Sequence, residues 1–486
     1  MHLPDILFFI SDQHTPYYSG FEGHNVDTPV LDRLCRDGLR FSQAYTPCPL
    51  CVPSRAAMLS GLRPASTGIF TLTDALPDMT PTFLHYLVEQ GYETVLLGRM
   101  HFVGNDQRHG FTKRIADDMT AITWNPPRQK LQETRGVTLR SFGEPFCTQV
   151  IGGGESPVEC YDEYVTQAAV DYLSQPHEKP QFIVVGTYAP HFPYVGEKAL
   201  YEKYRARAVL PASFYDPCPT RELARHHQEV SEEQALGAQA AYCAMIEQMD
   251  TRIGRVRSAF DASCDKKGCK RLFLYTSDHG DQVGDRRMFG KSTFYEKSVK
   301  IPLILAGDGI PQGAVCDALT SIMDIGPTLL EYTGAQPMQA VDGVSMAPVF
   351  SGQKPPEHAV YAEFMERPSM QQPADSYCFM VRDGDYKYMC FDKDPDCELL
   401  YNVLLDPGER DNLAGKAPEI LARMRALAAQ YGRAREAVRI QGLHSRFNDL
   451  WKAYEKASGV SAQELWYNVP ESARTYPEIM VGNKAE

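Results

Sequence analysis

Long apolar runs are missing from the sequence. The longest, such as Ile6–Ile10 and Phe182–Val185, are far shorter than the ~20 residues of a membrane-spanning helix, so we expect no membrane segment. An excess of basic residues is missing too. The 49 Lys and Arg residues face 62 Asp and Glu residues, and the resulting net charge of −13 argues against a nucleic-acid partner. With 43% hydrophobic and 23% charged residues and no internal repeat, the chain has the composition of a globular protein with a large core.

The cysteines do not form a recognisable disulfide or zinc framework. Their number, thirteen, is odd, and no signal peptide is visible, because Met1–Pro4 leads directly into an apolar strand pattern. Reduced thiols are the simplest interpretation, and they indicate a cytoplasmic protein. Cys48 and Cys51 have Cys-x-x-Cys spacing, but no second Cys or His pair completes a zinc site.

Short apolar runs alternate with longer amphipathic stretches, which predicts an α/β protein with a mostly parallel sheet covered by helices. The character of the sequence changes near Gly352–Pro356, after which short strand patterns and the turn Asp383-Gly384 predict an antiparallel sheet. We therefore divide the chain into a larger N-terminal domain (1–355), a smaller C-terminal α+β domain (356–432) and a C-terminal extension (433–486). The predicted strands are Ile6–Ile10, Thr94–Leu97, Phe182–Gly186, Leu272–Thr276, Pro302–Leu305, Val360–Phe364, Cys378–Arg382 and Tyr386–Phe391; helical spacing is found in Val30–Leu34 with Leu39 and Phe41, in Thr82–Glu89 and in Ala235–Phe260.

Polar side chains follow four of the predicted strands where each strand ends. Taken singly, each group is more typical of a turn, a helix cap or a surface histidine than of a site. Together they indicate a site, because open α/β sheets bind ligands outside the carboxyl ends of their strands. These groups are Asp12-Gln13, Arg99 with His101, His191 and Asp278-His279.

The segment Pro47–Gly61 is the sharpest local signal. Pro53 suits the first turn of a helix, and Ala56–Leu59 continues it with strong helix formers. Cys51 is therefore predicted at a helix N-terminus, where free backbone N–H groups and the helix dipole favour an anion.

Cys51-x-Pro53-Ser54-Arg55 resembles the maturation signature of the type I sulfatases, in which this cysteine is converted to Cα-formylglycine. The similarity continues in order through further separated blocks and covers about residues 4–430. These blocks are Asn25–Tyr45, Gly98–His101, Ala189–Pro193, Ser277–Asp281, Gly290-Lys291 with Tyr295-Glu296, and Leu400–Asn402 with Asp406–Glu409.

The resemblance implies an alkaline-phosphatase-like sandwich, with a central mostly parallel sheet between helices and a smaller C-terminal domain. Three residues depart from the commoner family pattern: Gln13 replaces a second Asp, His279 replaces Asn, and Arg99 replaces Lys. The Asp-Gln and Asp-His combination is similar to the choline-sulfatase and phosphonate monoester hydrolase branch.

The resemblance also implies a mechanism. Asp12, Gln13, Asp278, His279 and the oxygen of the modified Cys51 would hold one divalent metal, with Ca²⁺ favoured and Mg²⁺ or Mn²⁺ as alternatives. A hydroxyl of the hydrated formylglycine would attack sulfur. The expected roles are then as follows: Arg55, Arg99 and Lys291 offset negative charge, His191, alone or with Lys291, protonates the leaving alcohol, and His101 removes a proton from the second hydroxyl.

The expected activity is hydrolysis of a sulfate monoester, with a formylglycine-generating maturation enzyme as a further partner. A phosphonate monoester or phosphodiester hydrolase using the same site, or an inactive binding homologue, are the alternatives. The alcohol is left open between a sulfated carbohydrate, an aryl sulfate and choline, for which Trp124 and Tyr161 could contact the ammonium.

The apolar residues after Arg433 have helical spacing, which predicts a helical segment in the C-terminal extension. This segment either packs back on the domain of residues 1–355 or joins two subunits of a homo-oligomer. Trp466 and Tyr467 in the same extension are candidate substrate contacts.

Overall fold

The computed structural model describes residues 3–120, 147–220, 223, 226–366, 375–459 and 479–481. Its centre is an eight-stranded sheet with the order β10-β2-β9-β8-β1-β6-β3-β4, in which only β9 pairs antiparallel with its neighbours among the described strands. The strands are β1 Asp5–Asp12, β2 Leu39–Tyr45, β3 Glu93–Gly98, β4 Lys113–Ala116, β5 Ile151–Gly154, β6 Gln181–Pro190, β7 Tyr194–Gly196, β8 Arg271–Ser277, β9 Leu303–Gly307, β10 Ala314–Ser321, β11 Val360–Glu366, β12 Ser376–Asp383, β13 Tyr386–Phe391, β14 Leu399–Asn402 and β15 Ile479–Val481.

Helices cover both faces of this sheet, as the sequence predicted. Leu7 and Phe9 of β1 belong to one hydrophobic core, whereas Ile6, Phe8 and Ile10 belong to the core on the opposite face. This explains the unbroken apolar run in β1, since a central parallel strand is buried on both sides. The helices are α1 Pro29–Asp37, α2 Cys51–Ser60, α3 Pro64–Thr67, α4 Phe83–Glu89, α5 Pro157–Ser174, α6 Lys198–Arg205, α7 Glu232–Lys267, α8 Glu296–Val299, α9 Ile325–Thr333, α10 Pro418–Tyr431 and α11 Ala434–Ser458.

The predicted helix that included Leu39 and Phe41 is wrong at its C-terminal end. The helix ends at Asp37, and Leu39 and Phe41 lie in β2, which pairs parallel with β10 and antiparallel with β9. The alternation of buried and half-buried residues from Leu39 to Ser42 has the period of a strand, which the helical spacing of the same apolar residues had hidden.

The antiparallel sheet expected in the C-terminal part is present. Strands β11, β12, β13 and β14 pair in chain order, and β12 and β13 form a hairpin whose turn is Gly384-Asp385, one residue beyond the predicted Asp383-Gly384. Helix α10 packs against this sheet through Leu421 and Met424. The following helix α11 returns to the N-terminal part of the chain, where Gln441 Nε2 donates a 2.8 Å hydrogen bond to Asp74 Oδ2.

Within the described part of the chain, no helix combines the length and the apolar content required to span a bilayer.

Candidate active site

Strands β8, β1, β6 and β3 lie side by side and run parallel, so their carboxyl ends meet at one edge of the sheet. Each of the four polar groups singled out in the sequence follows one of these strands. The structure therefore brings together residues from chain positions 12 to 279, which sequence separation alone gives no reason to associate.

Helix α2 points its first residue, Cys51, at this edge. All ten residues of the helix are buried, and Cys51 is only 1% exposed. The Ser54 hydroxyl donates a 2.6 Å hydrogen bond to the backbone oxygen of Asp278, which ties the first turn of the helix to the end of β8. Cys48, by contrast, is fully buried in a hydrophobic cluster beside the C-terminal sheet.

Asp12, Cys51, Asp278 and His279 offer one ligand atom each, and these four atoms lie within 4.8 Å of one another. Nε2 of His279 is 3.2 Å from Cys51 Sγ and 3.6 Å from Asp278 Oδ1. The other ring nitrogen, Nδ1, donates to the backbone oxygen of Gly280, so Nε2 presents its lone pair to the cluster. Burial lowers the pKa of His279 to about 4, which keeps the ring neutral at physiological pH.

Two arginines orient the carboxylates of this cluster. Asp12 Oδ2 receives Arg99 Nε at 2.5 Å and Arg55 Nη2 at 3.2 Å, and Asp278 Oδ2 receives Arg55 Nε at 2.8 Å. The Oδ1 atom of each carboxylate is thereby left facing His279. Burial alone would raise the pKa of Asp12, but Arg99, His191, Lys291 and Arg55 outweigh it and hold the pKa well below its usual range.

Gln13 completes the oxygen-rich side of the cluster. Its backbone N–H donates to Asp278 Oδ1, its Nε2 donates to Asp281 Oδ2 at 2.6 Å, and its Oε1 is buried without a hydrogen-bond partner among the described residues. A buried amide oxygen without a hydrogen-bond donor lowers the stability of the fold unless a cation or another positively charged group contacts it. Three oxygen donors with one neutral histidine form a set that suits a hard divalent cation, so the residues present fit the metal implied by the resemblance.

Lys291 supplies a positive charge next to Cys51. Its Nζ lies 3.0 Å from Cys51 Sγ and 5.6 Å from the centre of the Phe192 ring. Burial and the nearby Asp12 carboxylate raise the pKa of the Cys51 thiol to about 11, despite the lysine. The unmodified cysteine is therefore a neutral thiol near pH 7, which is a weak nucleophile.

His101 is held by Arg99 and by a residue that the sequence analysis missed, Asp118. Asp118 accepts the His101 backbone N–H at 2.8 Å and Arg99 Nη1 at 3.3 Å, and Arg99 Nη2 lies 2.7 Å from His101 Nδ1. Because arginine can only donate, Nδ1 accepts and the proton of the neutral ring lies on Nε2. Asp118 comes just after β4, and this position at the end of a strand could have indicated it. The strand itself was not predicted, because it is short and mostly exposed and therefore lacks a clear apolar pattern.

His191 is buried at the end of β6. Its Nδ1 lies 2.6 Å from the backbone oxygen of Phe192 and donates to it, which leaves Nε2 as the available ring nitrogen. Burial, and then Lys291, lower the pKa of His191 well below its usual value. Asp162 of α5, also missed from the sequence, accepts the backbone N–H groups of Tyr188 and Ala189 and so fixes the turn that carries the histidine.

A second group of potential ligands, Asp5, Cys264 and Cys269, lies at the opposite end of the sheet. Both carboxylate oxygens of Asp5 are already within 2.9 Å of the Lys267 ammonium group. Burial raises the pKa of the Cys264 thiol far above its usual value. We assign no metal here, because a cation would have to displace the lysine and deprotonate a buried thiol.

Of the aromatic residues proposed to contact the substrate, Trp124, Trp466 and Tyr467 lie outside the described residues. Tyr161 is fully buried, and its hydroxyl donates to the backbone oxygen of Asp117. Tyr161 therefore belongs to the support of the Arg99 and Asp118 region.

Comparison with known proteins gives consistent matches. Residues 4–335 match the family described as Sulfatase, and residues 284–433 match the one described as N-sulphoglucosamine sulphohydrolase, C-terminal. A choline-sulfatase of Rhizobium meliloti is 30% identical over 440 residues, covering 85% of this chain and 82% of the relative. Arylsulfatase K of Xenopus laevis is 27% identical over 427 residues, covering 82% of this chain and 76% of the relative.

Among solved structures, the phosphonate monoester hydrolase of Agrobacterium radiobacter superposes with a TM-score of 0.69 at 21% identity, covering 91% of this chain and 96% of the other. This likeness concerns the fold. The expected alkaline-phosphatase-like sandwich, with its central mostly parallel sheet and separate C-terminal antiparallel sheet, is confirmed.

Proposed function

Since the chain belongs to the sulfatase family, we propose that it hydrolyses a sulfate monoester to an alcohol and sulfate, with water as the co-reactant. The observation that carries this proposal is the environment of Cys51. The Cys51 side chain contacts both the other cluster residues and Lys291: its Sγ lies 3.2 Å from His279 Nε2 and 3.0 Å from Lys291 Nζ. A nucleophile at this position meets a tetrahedral anion between two centres of positive charge.

The nucleophile is proposed to be formylglycine made from Cys51 by a formylglycine-generating maturation enzyme. The neutral thiol of the unmodified residue supports this proposal, because that thiol would attack sulfur poorly. The hydrated aldehyde supplies two hydroxyl groups on one carbon, of which one attacks sulfur as the alcohol leaves and the other allows sulfate to be expelled and the aldehyde to return.

Asp12, Gln13, Asp278 and His279 are proposed to hold one divalent cation together with the modified residue 51. Ca²⁺ is favoured over Mg²⁺ or Mn²⁺ by the resemblance to the type I sulfatases, and the mostly oxygen donors suit a hard cation. When bound, the cation polarises a sulfate oxygen and favours ionisation of the attacking hydroxyl.

The remaining residues manage charge and protons. Lys291 is proposed to contact the sulfate oxygens directly, and Arg55 and Arg99 offset negative charge from behind the Asp12 and Asp278 carboxylates. His191 protonates the leaving alcohol through Nε2, a role that the negative charge of bound sulfate supports by favouring the charged ring. His101 accepts the proton of the second hydroxyl at Nδ1. For this step, Nδ1 gives up its hydrogen bond from Arg99 and accepts one from that hydroxyl instead.

Phosphonate monoester or phosphodiester hydrolysis is the second candidate. The fold is shared with a phosphonate monoester hydrolase, and a singly charged phosphonate or phosphodiester places the same demands on Lys291 and the cation as a sulfate monoester does. The preference between the two reactions depends on the alcohol and on the charge of the transition state. Comparing the turnover of both substrate types distinguishes them.

Turnover of a substrate panel by protein co-expressed with a maturation enzyme tests the function. The panel contains choline sulfate, an aryl sulfate, monosaccharide sulfates and an aryl phosphonate monoester. We expect hydrolysis of at least one sulfate ester, an aldehyde at position 51 by peptide mass analysis, and loss of turnover in Cys51→Ala. Cys48→Ala is the matched control and should retain the aldehyde and turnover.

Three outcomes contradict the proposal. Full activity with an unmodified Cys51 removes the formylglycine mechanism. Faster turnover of the phosphonate than of every sulfate makes the second candidate the function. Absence of turnover on the panel despite an aldehyde at position 51 identifies a non-hydrolytic binding homologue.

We further propose a homo-oligomer joined through α11. The helix packs on the catalytic part through polar residues: His444 Nδ1 lies 3.2 Å from Asp74 Oδ1, and Asn448 Nδ2 donates to Thr73. Several larger apolar residues on another face point outwards, with Phe447 54% and Leu450 68% exposed. An apolar helix face of this kind is typical of an interface between identical subunits.

A cytoplasmic location and the three-part division at residues 355 and 432 are proposed as well. The location is supported by the thirteen cysteines, which are all thiols in the structure. The division is supported by the separate four-stranded sheet that begins at Val360 and by the helix that begins at Ala434.

A further inference from the structure

Asp281 is a fully buried carboxylate that the proposed mechanism does not use. Its Oδ2 accepts Gln13 Nε2 at 2.6 Å and the Tyr194 hydroxyl at 2.8 Å. Its Oδ1 accepts the backbone N–H groups of Val283 at 2.9 Å and Gly290 at 2.8 Å. Four donors converge on one carboxylate, so each oxygen is fully engaged and its orientation is fixed.

These contacts decide which end of the Gln13 amide faces the cation-binding cluster. If the amide were turned over, Oε1 would lie 2.6 Å from Asp281 Oδ2, and two acceptors would oppose each other without a hydrogen. The observed orientation gives Asp281 a donor and leaves Oε1 buried without a partner among the described residues. Gln13 also has a left-handed backbone with φ of 70°, a conformation that costs free energy for a residue other than glycine.

The same carboxylate reaches the other side of the site. The Gly290 N–H that it accepts immediately precedes Lys291, whose Nζ contacts Cys51 Sγ at 3.0 Å. A shift of Asp281 would therefore displace a metal ligand and a substrate-facing cation together.

We propose that Asp281 is the positioning residue that makes the Gln13 side chain an oxygen ligand and couples the cation site to the Lys291 loop. The inference rests on the proposed function only in assuming that the cluster binds a divalent cation. The alternative is that Asp281 merely stabilises the turn from Val283 to Gly290, in which case the chemistry of Gln13 would be irrelevant to it.

A reciprocal exchange of the two side chains separates these roles. In Asp281→Asn, the backbone N–H groups keep the oxygen of the new amide, so its Nδ2 faces Gln13 and turns the Gln13 amide until Nε2 points at the cation. In Gln13→Glu, two carboxylates meet at the former hydrogen bond. In the double variant, the introduced asparagine donates its Nδ2 to one oxygen of the introduced glutamate, and the second oxygen of that glutamate again faces the cation with the total charge unchanged.

The readout is Ca²⁺ binding to the metal-free protein, measured by calorimetry. The protein used has an unmodified cysteine at position 51. We expect Asp281→Asn to lose about 10- to 100-fold in affinity, the range for residues that orient metal ligands. The double variant Gln13→Glu with Asp281→Asn should recover to within about fivefold of wild type. Tyr194→Phe removes another donor to Asp281 without touching Gln13 and, as the matched control, should stay within about threefold of wild type.

The inference is overturned if Asp281→Asn binds Ca²⁺ as wild type does, if the double variant binds no better than Asp281→Asn, or if wild type binds none of Ca²⁺, Mg²⁺ and Mn²⁺. Recovery of binding in a protein without sulfatase turnover would instead contradict the proposed function and leave the positioning role intact. Sulfatase turnover together with failed recovery of Ca²⁺ binding in the double variant would contradict the positioning role and leave the proposed function intact.

Discussion

At the scale of single residues, the carboxylates of the site use their two oxygens differently. Asp12 and Asp278 each give Oδ2 to arginine and turn Oδ1 towards His279. Asp278 Oδ1 also accepts the backbone N–H groups of Gln13 and His279. The residue therefore supports its surroundings as well as offering a ligand, and its removal affects more than binding.

Asp278→Asn is expected to lower turnover by at least about 100-fold, because one charge is removed beside the reacting group. The amide oxygen keeps an acceptor for the two backbone N–H groups but its Nδ2 faces Arg55 Nε, so the Tm of the metal-free protein should fall, though by less than in Asp278→Ala. Asp278→Ala should unfold at a markedly lower temperature, since it leaves Arg55 Nε and two backbone donors buried without acceptors. Metal content and differential scanning calorimetry of both variants provide the check; equal Tm values for the two would refute this account.

Arg99→Lys tests whether the commoner residue of the family can serve in this chain. The guanidinium contacts Asp12, Asp118, Thr120 and His101 at the same time, which a single ammonium group cannot do. We expect kcat to fall about 10- to 100-fold while the charge at residue 99 is conserved. A kcat within twofold of wild type would mean that charge alone is sufficient at this position.

At the scale of elements, helices and strands support one another through side chains that cross between them. Helix α1 has no capping bond from Thr28, which precedes it. Instead, Asp250 of α7 accepts the backbone N–H groups of Val30 and Leu31 at 3.0 and 2.8 Å. A carboxylate from one helix thus caps the N-terminus of another.

This cap makes stability depend on pH. Burial raises the pKa of Asp250 to about 7 in the folded protein, although the two N–H groups oppose the rise, whereas the unfolded value is about 3.9. The stabilising contribution of Asp250 to the free energy of unfolding is therefore fully present below about pH 4 and is lost as pH rises through about 7. Because Asn does not titrate, the difference in Tm between wild type and Asp250→Asn should shrink from pH 5 to about pH 7 and level off above it. A constant difference across this range would contradict the shifted pKa.

The sequence was sufficient for β1, β3, β6 and β8 because each is an apolar run buried on both faces, and their ends then located Asp12, Arg99, His191 and Asp278. It was insufficient for β2, whose apolar residues continued the spacing of α1, and for β4, whose side chains are mostly exposed. Because β4 was missed, Asp118 after it was missed as well. The supporting roles of Asp162 and Asp281 could not be found for a different reason, although Asp281 itself lies in the block Ser277–Asp281. Each acts through hydrogen bonds to atoms distant in the chain, and no local pattern encodes such contacts.

At the scale of the whole molecule, the C-terminal sheet is fixed to the catalytic part by a buried lysine. Lys387 of β13 is fully buried and donates to Glu296 Oε1 at 2.9 Å and to the backbone oxygen of Phe294 at 2.8 Å, and it pairs with Glu409 at 2.5 Å. The segment that it holds follows Lys291 directly. The smaller sheet therefore helps to keep the site in shape while lying outside it.

The proposed oligomer predicts a mass that depends on the outer face of α11. Leu450→Glu places a charge in the exposed apolar patch, so light scattering should give a multiple of the monomer mass for wild type and the monomer mass for the variant. Lys452→Glu changes charge on another face of the same helix and should leave the oligomer intact. A monomeric wild type would rule out the proposal.

Turnover of the Leu450→Glu monomer shows whether assembly and catalysis are linked. Parallel loss of mass and activity would mean that one subunit supports the site of the next.

The burial of Cys51 sets an order of events during synthesis of the chain. The thiol is enclosed by His279 and Lys291, which follow it by 228 and 240 residues. At about 5–20 residues per second, a ribosome needs roughly 10 to 50 s to add such a stretch. An enzyme that modifies Cys51 has that interval of free access, plus the time the finished chain takes to fold. Once β8 has joined β1, Cys51 is enclosed. If activity requires the proposed modification, a chain that folds first becomes active only after it opens again.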